Sequence, residues 1–95
     1  MAETVTLSSG NVFVDLGFSP EEATLLAMRA QLMADLREAI AARGWTQAQA
    51  AQALGVGQPR VSDLLRGKWE KFSLDMLVTL AVRAGRRVHV ELVAA

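Results

Sequence analysis

Two short helices with a three-residue connection between them constrain the fold of this chain more than any other feature of its sequence. Thr46-Gln47-Ala48-Gln49 has the pattern of a capped helix start, and the alanine-rich run after it must end at Gly55. Gly57-Gln58-Pro59 restarts the chain, because proline suits the first turn of a helix, and the next helix runs to Gly67. Only Gly55-Val56-Gly57 joins them. The sequence therefore predicts two short helices connected by a tight glycine-containing turn.

Two further helices are predicted, one on each side of this pair. Ser19-Pro20-Glu21-Glu22 is the start of a capped helix, apolar residues then recur at helical spacing, and Gly44 supplies a left-handed stop. These signals give one long helix over about residues 20–43. Phe72-Ser73-Leu74-Asp75 opens a last helix that Gly85 closes. The chain is therefore predicted to be mainly α-helical.

The C-terminal residues have a different pattern. Over residues 87–93, Val88, Val90 and Leu92 alternate with polar residues, which predicts a short β-strand. A lone strand is not stable. It must pair either with the weakly alternating Thr4-Val5-Thr6-Leu7 of its own chain or with the same strand of a second subunit.

The N-terminal residues before the first predicted helix lack helical periodicity. Residues 10–18 are apolar but aperiodic, and we expect them to lie as an extended arm on the helices. The chain is accordingly divided into an N-terminal arm (1–18), a helical domain (19–85, with the short helices at 46–67) and a C-terminal strand (86–95) that would serve dimerisation.

The composition fits one small domain. The chain has 95 residues, of which 52% are hydrophobic, enough for a single modest core. No stretch approaches the roughly 18 consecutive apolar residues of a membrane span, and the N-terminus lacks the pattern of a signal peptide. The absence of cysteine removes disulfides and thiolate zinc sites. We therefore expect a cytoplasmic protein, stabilised by packing, with no membrane partner.

Charge is distributed unevenly along the chain. The ten basic and ten acidic side chains cancel, but residues 1–42 carry two basic against six acidic residues, a net charge of −4. Residues 43–71 carry five basic against two acidic residues, a net charge of +3. This basic segment contains the two short helices and can present a positive patch to phosphates, although the neutral total argues against strong non-specific binding.

Two short helices joined by a tight turn are the arrangement of the helix-turn-helix unit, in which the second helix lies in the major groove of DNA. Residues 46–67 fit this arrangement, because Ala51 is small where the helices must approach and Gly55 allows the turn. The residues expected to face inward and hold the crossing angle are Leu54, Val61 and Leu64.

Several short motifs over residues 37–85 carry a family resemblance. They are Arg43-Gly44-Trp45-Thr46-Gln47, Ala50-Ala51, Leu54-Gly55-Val56, Gln58-Pro59-Arg60-Val61-Ser62 and Arg66-Gly67-Lys68. With these motifs the chain resembles the XRE family of phage-repressor-like DNA-binding domains. Asn11-Val12-Phe13-Val14-Asp15-Leu16-Gly17-Phe18 and Phe72-Ser73-Leu74-Asp75-Met76-Leu77 make it most similar to single-domain HigA-type antitoxins.

The resemblance implies a fold, a function and partners. The fold is a phage-repressor-like helix-turn-helix domain of four to five helices with a short C-terminal β-strand. The function is that of an operator-binding transcriptional regulator that represses its own toxin–antitoxin operon. The implied partners are a double-stranded DNA operator, a second copy of the chain in a homodimer, and a toxin protein.

Three residues carry the predicted discrimination between bases. Gln58 matches the first base-reading residue of the family, and its amide can form two hydrogen bonds with adenine N6 and N7. Such a pair of hydrogen bonds contributes about 1–3 kcal/mol to discrimination against other bases. Arg60 could bond guanine O6 and N7 in the same bidentate way, and Ser62 could reach a base or a phosphate. Gly57 departs from the small hydroxyl residue often found there in the family, which weakens the helix cap.

Four further residues are predicted to contact the DNA backbone. Gln47 matches the family's glutamine at the start of the first motif helix, where it contacts phosphate or supports the glutamine of the next helix. Arg66 and Lys68, at and just beyond the end of the second motif helix, would hold phosphates, as would Arg43. Asp63 has the same sign of charge as DNA and is expected to face away.

Catalysis is not expected, because the chain lacks the necessary groups. It has one histidine, no cysteine, no tyrosine and no glycine-rich phosphate loop after a strand. His89 has no partner at the spacing of metal ligands, so neither a metal nor another cofactor is expected. The alternative function is a protein-interaction module on the same fold, which would cover a partner with its apolar strand and N-terminal arm without reading DNA.

Overall fold

The computed structural model describes residues 2–5 and 12–94 of the chain. The mainly α-helical fold of a small helix-turn-helix domain is confirmed. In chain order the elements are β1 (Ala2–Val5), α1 (Val12–Asp15), α2 (Pro20–Arg43), α3 (Gln47–Leu54), α4 (Gln58–Leu65), a 3-10 turn (Trp69–Lys71), α5 (Leu74–Arg83) and β2 (Arg87–Val90).

Three of the four longer helices begin at a hydroxyl side chain that accepts a hydrogen bond from the backbone N–H three residues further on. These caps are Ser19 of α2, Thr46 of α3 and Ser73 of α5. α4 is the exception, because Gly57 at its start makes no side-chain capping bond. A hydroxyl cap stabilises a helix by about 1 kcal/mol relative to alanine and by a few tenths relative to glycine. The start of α4 therefore lacks a support that the other three helices have.

One apolar core holds α2, α3, α4 and α5 together. The inward-facing residues predicted for the two short helices are Leu54, Val61 and Leu64, each no more than 1% exposed. They belong to the same cluster as Leu36 of α2, Leu77 of α5 and Phe72, which precedes α5. Because all four helices contribute to this cluster, the whole domain, and not the short turn alone, determines how α3 and α4 cross.

The C-terminal strand pairs within its own chain. β2 runs parallel to β1, with Ala2 opposite Arg87 and Val5 opposite Val90. Of the two pairings that the sequence left open, the intrachain one is found, and it uses residues 2–5 where 4–7 were expected; residues 6 and 7 lie outside the described part of the chain. Val88 of β2 packs against the helical core. Because β1 occupies one edge of β2, the strand of a second subunit would have to pair with the other edge.

The segment before α2 is not an extended arm, and that expectation was wrong for residues 12–15. They form α1, which packs on α2. The Phe13 ring makes edge contacts with the rings of Phe18 and Trp69, at centroid distances of 6.1 and 6.5 Å. A single helical turn has no periodicity to detect and is stable only through such tertiary contacts. Residues 10 and 11 lie outside the described part.

Candidate nucleic-acid interface

α3 and α4 form the predicted helix-turn-helix unit. α3 ends where Gly55 adopts φ 70°, a left-handed conformation that favours glycine. The N–H groups of Gly55 and Val56 donate to the carbonyls of Gln52 and Ala51, which closes the helix before the chain turns into α4. A Cβ at position 55 would also lie 3.2 Å from Arg83 Nη1. Both the backbone angle and the close side chain thus favour glycine at this turn.

α4 presents a polar stripe to solvent. Gln58, Ser62 and Arg66 are spaced four residues apart and therefore share one side of the helix, while Val61 and Leu64 face the core. Gln58 and Arg66 are exposed and Ser62 is half-buried. Within the described part of the chain, the side chains of Gln58 and Ser62 make no hydrogen bond. Their donors and acceptors are therefore available to a ligand.

Arg60 lies on a different side of α4 and is held against the protein. Its Nη1 donates a hydrogen bond to the carbonyl oxygen of Lys71 at 2.9 Å. Its guanidinium also lies over the ring of Phe72, 5.4 Å from the ring centroid. To read a guanine, the side chain would have to leave both contacts.

Asp63 forms two ion pairs with lysines that follow α4. Its carboxylate oxygens lie 3.8 Å from Lys68 Nζ and 3.7 Å from Lys71 Nζ. Pairs at this distance on a partly exposed surface each contribute at most about 1 kcal/mol to stability. They nevertheless place a negative charge beside Lys68, a predicted phosphate contact, and Lys71, which the sequence reasoning did not select.

The other residues predicted to contact the DNA backbone differ in whether the protein already engages their side chains. Gln47, the first residue of α3, is exposed, as is Arg66 at the end of α4. Arg43 is exposed as well, but it already has partners in the protein, because its Nη2 donates to the carbonyl of Ala84 at 3.3 Å and its guanidinium lies 5.3 Å from the centroid of Trp45. Its role as a phosphate contact would compete with these interactions.

Arg83 also donates a hydrogen bond to a distant backbone carbonyl, a role that the sequence did not predict. Its Nη1 donates to the carbonyl of Leu54, the last residue of α3, at 2.9 Å. Arg43, Arg60 and Arg83 thus each satisfy a carbonyl at or near the end of a helical segment. No local pattern reveals this use, because the closest of the three acceptors is 11 residues away in sequence. The charge of the basic segment is therefore only partly available to phosphates.

The described residues contain neither a candidate metal-binding cluster nor a helix suited to spanning a membrane. Among these residues, no cluster of three or more histidine, aspartate or glutamate side chains is arranged to hold a metal ion. None of the described helices combines the length and the apolar character needed to cross a membrane.

The fold and the stripe on α4 define the class of protein. Two short helices packed through a glycine turn, the second with an exposed polar face, constitute a DNA-binding helix-turn-helix domain. Residues 12–92 match the model of a helix-turn-helix domain family, and the chain belongs to this family. A search of curated proteins found no match to the chain.

Proposed function

We propose that this protein is a transcriptional regulator that binds duplex DNA sequence-specifically and catalyses no reaction. The observation that carries the proposal is the polar stripe of Gln58, Ser62 and Arg66 on the second helix of the helix-turn-helix unit, of which Gln58 and Arg66 are exposed and Ser62 is half-buried. The major groove admits an α-helix, and amide and hydroxyl groups can distinguish the base edges there. Arg66, with Gln47 at the start of α3, would hold the DNA backbone on either side of the bases.

A homodimer is part of the proposal. α4 has eight residues, which corresponds to about 12 Å of helix and only a few base pairs. Two copies that bind half-sites roughly 34–36 Å apart would double the number of base contacts.

The exposed apolar side chains support a protein contact away from the DNA-binding helices. Within the described part of the chain, all exposed large hydrophobic residues lie outside residues 26–81, and so none is on α3 or α4. They are Val12, Val14, Leu16, Phe18, Leu25, Val82, Val90, Leu92 and Val93. Contacts through these residues would leave α4 free to enter DNA.

The finer proposal is a cytoplasmic antitoxin that represses the operon encoding itself and a toxin. Its support is the resemblance to the XRE family and to single-domain HigA-type antitoxins, on the motifs quoted above. The exposed apolar residues also favour the second candidate, a pure protein-interaction module. Such a module would use the apolar residues and leave α4 without DNA, so DNA binding separates the two candidates.

The decisive experiment is a mobility-shift assay with the DNA immediately upstream of the protein's own coding region. We expect a complex that contains two subunits, resists competition by unrelated duplex and weakens steeply as salt is raised. Equal and weak binding of all duplexes at low salt would rule out sequence-specific DNA binding and favour the interaction module.

Replacing Asp63 by asparagine is expected to strengthen binding to unrelated duplex. The change removes the carboxylate that pairs with Lys68 and Lys71 and leaves both ammonium groups available to phosphates. Each additional phosphate contact should steepen the slope of log affinity against log salt concentration by about 0.9.

The matched control for this prediction is Asp75→Asn on α5. It makes the same change of charge, and Asp75 has no ion pair with a lysine in the described part of the chain. A salt series on unrelated duplex compares the two variants. Equal steepening in both would attribute the effect to net charge and contradict the role assigned to Asp63.

A further inference from the structure

We propose that Arg60 is a positioning residue that substitutes for the missing cap of α4, and that it does not read a base. Arg60 is the third residue of α4, in the turn that carries Gln58. Its hydrogen bond to the carbonyl of Lys71 and its contact with the ring of Phe72 attach this turn to the segment between α4 and α5. Phe72 is only 2% exposed, so the side chain is attached to a rigid part of the core. The inference rests on the proposed function only where it concerns DNA.

The first turn of α4 needs this attachment because its own support is weak. The side chains of Ser19, Thr46 and Ser73 cap the other three longer helices, and Gly57 cannot do the same for α4. At the start of α4 the N–H groups of Arg60 and Val61 share the carbonyl of Gly57 at 3.1 and 3.3 Å, and no side chain caps the helix. An unsupported first turn frays, and Gln58 would fray with it.

Glycine is not required by the backbone at position 57. Its φ of −75° and ψ of 158° are extended values that any residue adopts. A Cβ built there would meet Pro59 Cδ at 3.5 Å, an ordinary van der Waals distance. A serine at this position can therefore cap α4 as Ser73 caps α5. The variant Gly57→Ser thus offers a way to restore a supported first turn without an arginine at position 60.

The first test needs no DNA and measures amide hydrogen exchange at Val61 in four proteins: the wild type, R60A, G57S and the double variant G57S/R60A. Because loss of one hydrogen bond corresponds to a factor of about five in an equilibrium, R60A should speed exchange at Val61 by about that factor. The double variant should exchange about 1.5- to twofold more slowly than R60A, because serine is only slightly better than glycine at a helix N-cap. The amide of Ala51 in α3 is the internal reference and should not change. Exchange at Val61 that is the same in R60A as in the wild type would overturn the proposal.

The second test separates positioning from base reading. The four proteins are titrated with the upstream operator and with duplexes in which each base pair is changed in turn. If Arg60 positions the turn, R60A binds the operator less tightly but keeps the wild-type order of preference at every base pair. G57S/R60A should then regain the affinity of G57S to within about threefold, because a cap can replace a positioning contact.

The opposite pattern would overturn the proposal. If Arg60 reads a base, R60A loses its preference at one base pair and Gly57→Ser does not restore it. Gln58→Ala is the positive control for base reading, because the proposed function assigns Gln58 a direct base contact. It should lose the preference at one base pair. If the wild type binds no duplex, the proposed function fails, and exchange at Val61 still decides whether Arg60 positions α4.

Discussion

Replacing Phe72 by alanine is expected to lower the free energy of unfolding by about 3–5 kcal/mol, the range for removal of a buried aromatic side chain. The ring is 2% exposed and belongs to the cluster that joins α2, α3, α4 and α5. It also lies beneath the guanidinium of Arg60, so its removal takes away one of the two contacts that attach the first turn of α4. Since a small domain is stable by only about 5–15 kcal/mol, the variant should lose a large part of its stability.

The measurement is urea unfolding followed by far-ultraviolet circular dichroism, at one protein concentration because a dimer's stability depends on it. Phe18→Ala is the matched control. It removes the same side chain from a position that is 38% exposed and should cost clearly less. Equal losses in the two variants would contradict the central place of Phe72 in the core.

Replacing both Gln58 and Ser62 by alanine is expected to reduce the preference for operator over unrelated duplex by about a hundredfold or more. Each base contact is worth about 1–3 kcal/mol of discrimination, and in a dimer every change is made twice. Affinity for unrelated duplex should stay near the wild-type value, because neither side chain is charged and phosphate contacts dominate that binding.

The measurement is competition between operator and unrelated duplex at one salt concentration. Gln31→Ala on α2 is the matched control, because it removes an exposed glutamine from a helix outside the helix-turn-helix unit. It should leave the preference unchanged. An operator preference that survives in the Gln58/Ser62 variant would show that α4 does not read the bases.

Local signals were sufficient to predict the helices. The bounds of α2 and α3 and the start of α4 are those indicated by hydroxyl residues and proline at helix starts and by glycine at helix ends, whereas α4 ends at Leu65, two residues before Gly67. These signals work because capping hydrogen bonds join residues three apart and because a left-handed φ at one residue stops a helix. The exposed positions of Gln58 and Arg66 follow from the same information, since spacing along α4 determines which side chains share a face.

The sequence by itself therefore determined the helical domain, its helix-turn-helix unit and the polar stripe on α4, because each depends on residues close together in the chain. Only the tertiary structure decided how the arginines are used and which strand pairs with β2. Arg43, Arg60 and Arg83 bond to carbonyls that are 41, 11 and 29 residues away. A cation's availability to a phosphate depends on the carbonyls and rings that folding brings beside it, and no local pattern contains that information.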